Sequence, residues 1–429
     1  MKTKKNVTVV LILLTMACVG NELFARNNKK ELSIVESGAV GDSVTLNTKT
    51  IQDAIDKLYA SGGGTLVVPK GIFLTGALYL KQGVDLRIEK DGVLKGSANT
   101  ADYPPVDKRI EGHTEPKTCP ALINAYGIKG LKITGEGTIQ GGGKPFWTEF
   151  WRRYEADKTT KNLDVYRPQN LFIQDCNHVL VSGLHFRGSG YWNFHMYRCR
   201  WVKVENLDIQ TPLRSPSTDG IDVDSSQDVD ISSCYISVDD DCICMKGSKG
   251  MNAMDDKASP PTERVNISNC TFNLGYGVLT LGSEATVVRH IKLENCTVKG
   301  PNVNTLLRIK VRTDTPQHYE DIVVNNIKID GQYNLIDIAH WSQYKDTKGL
   351  PEPWHVVKNV ALKNISGNIA HFATITPPKC AEVSKVTFEN INVKTLSPKY
   401  KVIVNNVNGF QMKNCTINDK QAIDIVNRK

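Results

Sequence analysis

The stretch that decides the fold is "VNISNCTF", from Val265 to Phe272, and a close copy, "IKLENCTV", runs from Ile291 to Val298. In both, apolar residues alternate with variable ones, and a turn-forming residue interrupts the alternation in the middle. Alternation of period two is typical of a short β-strand with one buried face. Each copy therefore predicts two short strands that meet at a tight corner.

The same pattern occurs nine times between residue 179 and the C-terminal region, with starts 23 to 38 residues apart. The other copies start at Val179, Val202, Val229, Ile322, Val360, Val386 and Phe410. Such a unit cannot bury its apolar side alone and has to stack on its neighbours, which is the defining property of solenoid proteins. The sequence therefore predicts an all-β fold, a single-stranded right-handed parallel β-helix.

The fifth position of the repeat holds the corner residue, and it is asparagine in seven of the nine copies. In chain order the residues are Gly183, Asn206, Ser233, Asn269, Asn295, Asn326, Asn364, Asn390 and Asn414. Asparagine and glycine tolerate the left-handed backbone conformation that a sharp corner needs, and stacked asparagine amides can bond from one coil to the next. We expect a ladder of turn asparagines.

The sixth position is apolar or cysteine. It is cysteine at Cys234, Cys270, Cys296 and Cys415, whereas Cys176 and Cys199 each lie three residues before a repeat starts. Because these cysteines share positions with leucine and isoleucine, we favour buried thiols inside the coil over disulfides, although export would permit disulfides. They lack the spacing of a structural zinc site, and we do not interpret them as a catalytic set.

The first 25 residues have the composition of a signal peptide. Lysines at positions 2, 4 and 5 precede the apolar run Val9–Val19, and residues 23–25 offer a cleavage point. The alternative is lipidation of Cys18 in "LTMAC". We favour export to the periplasm or the extracellular space, which leaves residues 26–429 as one β-helix domain without a membrane-spanning segment.

Without residues 1–25, the chain would carry 50 basic and 44 acidic residues, a net charge of +6. The charges are scattered, and there is no basic arm and no cluster of basic residues interleaved with aromatic ones. Nucleic acid is therefore excluded as the expected partner, whereas an anionic polymer fits the net charge. The sequence does not indicate an oligomeric state.

Upstream of the repeats, Ile51, Ala54, Ile55 and Leu58 recur at helical spacing before a glycine-rich turn. A short amphipathic helix here would cover the open N-terminal end of the solenoid. Between residues 102 and 168 the repeat breaks up, and aromatic and charged residues occur in "PFWTEFWRRYEAD". We expect a loop excursion that walls a cleft, or a surface helix.

When the coils are placed in register, four segments fall one above another. They are Ser217–Val223, Asp239–Met245, Tyr276–Leu281 and Leu306–Val311. Because neighbouring coils lie about 4.8 Å apart, polar side chains of these segments would gather on one side: Asp219, Asp240, Asp241, Tyr276, Arg308 and Lys310. Unrelated surface charges have no reason to occupy the same segment of successive coils, so we interpret this cluster as a candidate site.

Three carboxylates opposed by two cations are suited to glycoside hydrolysis. One acid that its neighbours keep protonated donates a proton to the leaving oxygen, while the others orient a water molecule. Hydrolysis with inversion needs the working carboxyl groups roughly 6.5–9.5 Å apart, which adjacent coils could provide. Asp240 and Asp241 point to opposite sides of an ideal strand, so both reach the site only if the backbone bends there.

At these residues the chain resembles glycoside hydrolase family 28, the polygalacturonases and related pectin hydrolases, which share a pectin lyase-like β-helix. The resemblance runs over nearly the whole mature chain and is sharpest in "STDGIDVDSSQDVDI", "DDDCICMKG" and "LLRIKV". It implies that Asp240 is the general acid and that Asp219 and Asp241 activate water. It also implies that Arg308 and Lys310 bind a uronate carboxylate.

The resemblance further implies an inverting enzyme without a cofactor or a metal ion. Its substrate would be an anionic pectic polysaccharide or oligosaccharide that contains galacturonic acid, either polygalacturonan or rhamnogalacturonan. We place Tyr276 among the substrate-binding residues because it stands where the family has a histidine.

Two departures from the family pattern affect the expected specificity. The family's glycine-histidine-glycine is Gly275-Tyr276-Gly277 here, followed by a segment that is one residue longer, and Asp239 replaces a glycine. Tyrosine can donate a hydrogen bond but is a poor proton shuttle near neutral pH. We therefore expect a relative specialised for another pectic linkage, such as rhamnogalacturonan or a terminal galacturonide. Glu284 in "LGSE" belongs to this specialisation or is a solvated loop residue.

Two other functions stay open at this stage. Clusters of aspartates also bind hard cations, which would suit a calcium-dependent β-helical polysaccharide lyase. The replacement of the histidine by Tyr276 would also suit a carbohydrate-binding β-helix whose catalytic site has decayed.

Overall fold

We describe the chain from a computed structural model that covers residues 30–331, 333–343 and 346–422, with the side chain at position 301 excepted. The predicted signal peptide, with Cys18, lies outside the described residues.

Successive coils pair in parallel and in the register of the sequence repeat. Val202 pairs with Val229, Val229 with Val265, and Val265 with Ile291. The apolar members of each copy are buried in one continuous core that follows the axis of the solenoid. This arrangement confirms the predicted right-handed parallel β-helix.

In the described residues, one face of the solenoid is an eleven-stranded sheet, to which each coil contributes one strand. In chain order its strands are Leu78–Leu80, Ile123–Tyr126, Leu171–Gln174, Phe194–Tyr197, Ile221–Asp224, Ile243–Lys246, Leu279–Leu281, Thr305–Arg312, Asn334–Trp341, Ala373–Thr376 and Val402–Val404.

The rest of the coil wall in the described residues is a 24-stranded sheet that bends around the corners. Its strands are Glu31–Ser33, Asp42–Leu46, Gly64–Val68, Gly71–Thr75, Val84–Ile88, Gly92–Gly96, Lys132–Gly135, Thr138–Gln140, Asn177–Ser182, His185–Arg187, Arg200–Glu205, Asp208–Gln210, Gln227–Ser232, Tyr235–Ser237, Thr262–Ser268, Thr271–Gly275, Val287–Val303, His318–Asp330, His355–Ile369, Ala381–Thr395, Val407–Asn408, Gln411–Lys413, Thr416–Ile417 and Lys420–Gln421.

The corner residues adopt the left-handed conformation that the sequence predicts. Their φ angles lie between 52° and 56° at the seven asparagines and at Ser233, and φ is 80° at Gly183. The amide of Asn326 donates to Oδ1 of Asn295 at 2.7 Å, and the amide of Asn390 donates to Oδ1 of Asn364 at 3.0 Å. The asparagine ladder is therefore confirmed.

A second column of left-handed residues follows the opposite end of the same strands, and the sequence pattern gave no sign of it. Its members are His178, Trp201, Asp228, Arg264, His290, Asp321, Asn359 and Lys385, with φ between 53° and 58°. Their side chains contact each other from coil to coil. The rings of His178 and Trp201 are tilted by 36° with centroids 4.6 Å apart, and Arg264 Nε lies 2.6 Å from Asp228 Oδ1.

The cysteines of the repeat are buried free thiols, as expected from the positions that they share with leucine and isoleucine. They stack along the solenoid axis. The amide of Cys234 donates to the sulfur of Cys270, and the amide of Cys270 donates to the sulfur of Cys296, each at 3.4 Å. Each cysteine of the described residues is unpaired, and Cys380 alone among these is partly exposed.

A 13-residue helix, Thr48–Ala60, covers the N-terminal end of the solenoid. It buries Ile51, Ala54, Ile55 and Leu58, the residues that predicted it. These side chains join the core of the first coils, so the predicted cap is confirmed. No helix within the described ranges is long and apolar enough to cross a membrane.

The region between residues 102 and 168 is more regular than we expected. It holds an antiparallel hairpin of the strands Val106–Ile110 and His113–Thr118, and the helix Lys144–Ala156. Between them lies a complete coil, so the expectation that the repeat breaks up throughout is wrong. The repeat in this coil, "LKITGEGTI", departs from the eight-residue pattern because its corner has an extra residue between two glycines. Short 3-10 turns occur at Thr100–Asp102, Asn162–Asp164 and Ala253–Asp255.

Replacing Asn326 by alanine should lower the free energy of unfolding more than replacing it by glycine. Alanine loses the amide bond and also strains a left-handed backbone, which costs about 1–2 kcal/mol, whereas glycine adopts this conformation freely. Urea unfolding of both variants measures the difference. Equal losses would show that the corner does not constrain the backbone.

Candidate active site

The three predicted acids meet at the edge of the eleven-stranded sheet where its strands begin. Strands Ile221–Asp224 and Ile243–Lys246 pair in the predicted register, which places the segments that precede them one above the other. Asp219, Asp240 and Asp241 each bring a carboxylate oxygen to within 4.8 Å of those of the other two.

Asp240 and Asp241 both reach the site because they lie in a bend between two strands. The Asp241 amide donates to Oδ1 of Asp240 at 3.0 Å. Gly277 of the next coil leaves room for this bend, since a Cβ atom there would lie 2.1 Å from Thr280 Oγ1 and 3.0 Å from Asp241 Oδ1. The bend that two adjacent catalytic acids require is thus present.

Asp241 is buried and fully engaged by neighbouring polar groups. Lys310 Nζ donates to its Oδ2 at 2.7 Å, Thr280 Oγ1 donates to its Oδ1 at 2.8 Å, and Arg308 Nη1 lies 3.8 Å from Oδ1. Burial by itself would raise the pKa of Asp241, but Lys310 and Arg308 hold this pKa below its ordinary value. Asp241 is therefore the ionised member of the cluster.

Asp240 and Asp219 have the opposite tendency. Burial, and then the charge of Asp241, raise the pKa of Asp240 to about 6 against the opposing charge of Lys310. Burial and the charge of Asp240 raise the pKa of Asp219 well above its ordinary value. Neighbouring acids whose environments move their pKa values apart are suited to opposite roles in proton transfer.

The separation of the acids differs from the one we expected. Typical inverting enzymes hold the working carboxyl groups roughly 6.5–9.5 Å apart, whereas these carboxylate oxygens lie within 4.8 Å. The expectation is wrong because the side chains extend from bends outside the strands and converge, so the spacing between coils does not set their distance.

The two predicted carboxylate-binding cations face different surroundings. Lys310 is buried against Asp241, so its charge serves the acid cluster. The side chain of Arg308 is 22% exposed, and its guanidinium lies over the ring of Trp341 at 5.1 Å. Arg308 is therefore the cation of this pair that a ligand in the groove can contact.

Tyr276 lies at the rim of the site and is 46% exposed. Its amide donates to the carbonyl oxygen of Asp240 at 3.0 Å. Burial, and then the charges of Asp239 and Asp240, raise the pKa of Tyr276, so its hydroxyl stays protonated. The pairing of the strand Thr271–Gly275 shifts register by one residue between Phe272 and Leu274, ahead of Tyr276.

Asp239 is half-buried rather than an exposed turn residue. Its carboxylate accepts the amides of Arg214 and Ser215, and its own amide donates to Thr211 Oγ1 at 3.3 Å. Burial, and then the charge of Asp240, raise the pKa of Asp239 to about 6. Asp239 therefore holds the loop of residues 211–217 against the catalytic coil.

Sequence reasoning missed three polar residues beside the acids. Asp222 is fully buried, with one oxygen within 4.8 Å of Asp219, and among the described residues neither of its carboxylate oxygens has a hydrogen-bond partner. Lys246 is buried next to it, with Nζ 3.2 Å from Glu111 Oε1 and 4.5 Å from the ring of Trp192. Strand alternation in "IDVD" could have located Asp222, whereas Glu111 comes from a distant hairpin.

Glu284 is ion-paired and is not a solvated loop residue. It lies 2.6 Å from Arg312 Nη1, and its side chain is mostly buried. Burial would raise the pKa of Glu284, but Lys246 and Arg312 lower it to about 2. Glu284 is thus part of the charged wall beside Lys246.

Residues 61–422 match the family model described as Glycosyl hydrolases family 28. The chain belongs to this family and is a glycoside hydrolase. Membership confirms the predicted hydrolase.

Curated relatives and solved structures agree with this assignment. An exopolygalacturonase of Zea mays is 27% identical over 427 residues, which cover 92% of this chain and 93% of the relative. A probable polygalacturonase of Vitis vinifera is 28% identical over 383 residues, which cover 86% and 75%. The fold resembles the crystal structure of an exopolygalacturonase from Thermotoga maritima, with a TM-score of 0.76, 22% identity and coverage of 91% and 92%.

Replacing Lys310 by methionine should lower the free energy of unfolding by about 3–5 kcal/mol at pH 7, because Asp241 would stay buried without its partner. In the variant, the pKa of Asp241 rises above its value in the unfolded chain. The carboxyl group then takes up a proton as the pH falls, and the loss shrinks.

Urea unfolding at pH 7 and at pH 5 tests this, with the exposed Lys328→Met variant as the matched control. A loss of the same size at both pH values would contradict the assigned ion pair.

Proposed function

We propose that the protein is an exported enzyme that hydrolyses a linkage of galacturonic acid in a pectic polysaccharide or oligosaccharide, with inversion at the anomeric carbon. The observation that carries this proposal is the meeting of Asp219, Asp240 and Asp241, whose carboxylate oxygens lie within 4.8 Å of one another, with Lys310 paired to Asp241 at 2.7 Å. The family, the names of the relatives and the exposed cation Arg308 support a uronate substrate. The lysines and the apolar run before residue 26 support export.

In this mechanism Asp240 donates its proton to the glycosidic oxygen as the bond from that oxygen to the anomeric carbon breaks. A water molecule between Asp219 and Asp241 attacks the anomeric carbon from the opposite face. Its oxygen forms the new bond, and its proton passes to Asp241, which is the ionised acid of the two. The chemistry needs no cofactor, because the acid and the base are both side chains.

The short distance between the acids also suits a retaining enzyme, in which a carboxylate bonds to the sugar. The contacts of Asp241 favour inversion instead. Both of its oxygens already accept hydrogen bonds, from Lys310 and Thr280, which fix it as a negative charge that orients water. Arg308 would bind the uronate carboxylate with its planar guanidinium.

Tyr276 and Asp239 support a linkage other than that of an ordinary endo-acting polygalacturonase. Tyr276 cannot shuttle protons near neutral pH, and Asp239 places a further acid beside the general acid. Homogalacturonan and rhamnogalacturonan oligosaccharides are the two substrates to compare, and we propose turnover of at least one of them.

Sugar release by the Asp240→Asn variant should fall by about 100-fold to 10,000-fold, because the asparagine amide is not acidic and cannot protonate the leaving oxygen. Reducing-sugar release from both oligosaccharides measures the loss, and thermal unfolding shows whether the fold is intact. The Asp230→Asn variant makes the same change at an exposed position of the 24-stranded sheet and should keep full activity. Full activity of Asp240→Asn would remove Asp240 as the acid.

The sugar that the wild-type enzyme releases should first appear with the anomeric configuration opposite to that of the cleaved bond. Proton NMR in the first minutes of the reaction, before mutarotation, distinguishes the two configurations. Release with the same configuration would indicate a covalent intermediate and would reject inversion.

A further inference from the structure

The hairpin of Val106–Ile110 and His113–Thr118, hereafter the end hairpin, lies over one half of the eleven-stranded sheet. Lys108 of its first strand contacts Gln169 and lies 4.5 Å from the ring of Phe172. Ile110 forms a small buried cluster with Tyr191 and Trp192. These contacts hold the end hairpin against the coils that precede the catalytic acids.

The tip of the end hairpin reaches the candidate active site. The Glu111 amide donates to Asp224 Oδ2 at 3.0 Å, and its carboxylate lies 3.2 Å from Lys246 Nζ and 3.7 Å from Lys249 Nζ. Gly112 permits this approach, because a Cβ atom there would lie 2.2 Å from Ser248 Oγ. The tip is therefore wedged between the sheet and the loop that follows residue 247.

The end hairpin makes the two sides of the catalytic acids unequal. Phe172, His195 and Asp222 occupy the same outward position on three successive strands, and all are 0% exposed. On the other side of the acids, Arg308 continues this row with its side chain 22% exposed, and Tyr276 is 46% exposed. The groove along the outward face of the eleven-stranded sheet is thus covered over the coils that precede the acids in the chain. It is open over the coils that follow them.

The covered side carries polar groups that ordinary packing does not explain. A buried carboxyl group without hydrogen bonds destabilises a protein, so the two oxygens of Asp222 indicate a group that is satisfied by a ligand. Lys246 and Glu111, which pair with each other at 3.2 Å, add a buried cation and an acceptor beside Asp222. Together they offer hydrogen bonds for hydroxyl groups and an ion pair for a carboxylate, which are the substituents of a uronic acid.

We propose that the end hairpin closes the groove, so that the enzyme acts at a chain end and releases one terminal sugar. Glu111, Lys246 and Asp222 are the specificity-determining residues that bind this sugar. The inference rests on the proposed function and goes beyond it. An internal linkage needs a groove that is open on both sides of the acids, and here the chain can extend in one direction only.

Oligogalacturonides and rhamnogalacturonan oligosaccharides with a fluorescent tag at the reducing end test the mode of action. We expect the wild-type enzyme to release single sugars from the first time points and to shorten the tagged chains one residue at a time. Fragments of intermediate length at the outset would overturn the chain-end inference and leave the proposed function intact. No cleavage of either substrate would reject the proposed function instead.

Opening the groove should change the products. In one variant, two glycines replace residues 109–114 and join Lys108 to Glu115. We expect this variant to cleave internally and to lower the viscosity of polymeric substrate faster per bond broken than the wild type does. Glu115→Gln, on the same hairpin, is the control and should keep the wild-type products. A correctly folded variant with unchanged products would overturn the inference.

Point variants keep the inference testable if the shortened hairpin prevents folding. The Asp222→Ala and Glu111→Ala variants should each raise KM for the tagged substrates about tenfold or more with a smaller change in kcat, because they lose contacts to the bound sugar. The Asp222→Asn variant keeps hydrogen-bonding groups at this position and should therefore keep most of the wild-type affinity for the tagged substrates. An unchanged KM in both alanine variants would overturn the role of these residues.

Discussion

The parallel hydrogen bonds between coils bring the strands that carry the candidate active site into register. They place strand Ile221–Asp224 above Ile243–Lys246, and the latter above Leu279–Leu281. Because side chains alternate between the two faces of a strand, a slip by one residue would turn Asp222 and Arg308 into the core. The repeated corners prevent such a slip, since each left-handed residue fixes where a strand begins. The repeat therefore stabilises the solenoid and also fixes which residues face the candidate active site.

Within this frame, electrostatics gives adjacent aspartates different properties. Asp240 and Asp241 are neighbours in sequence and are both largely removed from water, yet their pKa values move in opposite directions. The main cause is the position of one amine, because Lys310 lies 2.7 Å from Asp241, and Arg308 adds to its effect. Once Asp241 is ionised, its charge adds to burial in keeping the proton on Asp240. The buried ion pair is thus more important for proton placement than for stability.

The parts that local pattern specifies were predictable, and the parts that depend on distant contacts were not. The asparagine corners, the capping helix and the meeting of Asp219, Asp240 and Asp241 follow from periodicity and register. The contact between Glu111 and Lys246 joins residues 135 positions apart, through a hairpin that interrupts the repeat. The separation of the acids depends on side-chain directions in a bend. The second column of left-handed corners has no common residue type, since it mixes aspartate and asparagine with histidine, tryptophan, arginine and lysine.

The row of interior thiols has a consequence for how the chain folds. Cys234, Cys270 and Cys296 are shielded once the coils have stacked, because burial removes them from oxidants. If the chain is exported as proposed and enters an oxidising compartment unfolded, the same thiols are accessible and lie 36 and 26 residues apart. Coil stacking then competes with the formation of non-native disulfides. The yield of active protein therefore depends on the rate of coil stacking relative to the rate of disulfide formation. Because the solenoid can add one coil at a time, its thiols become buried one after another.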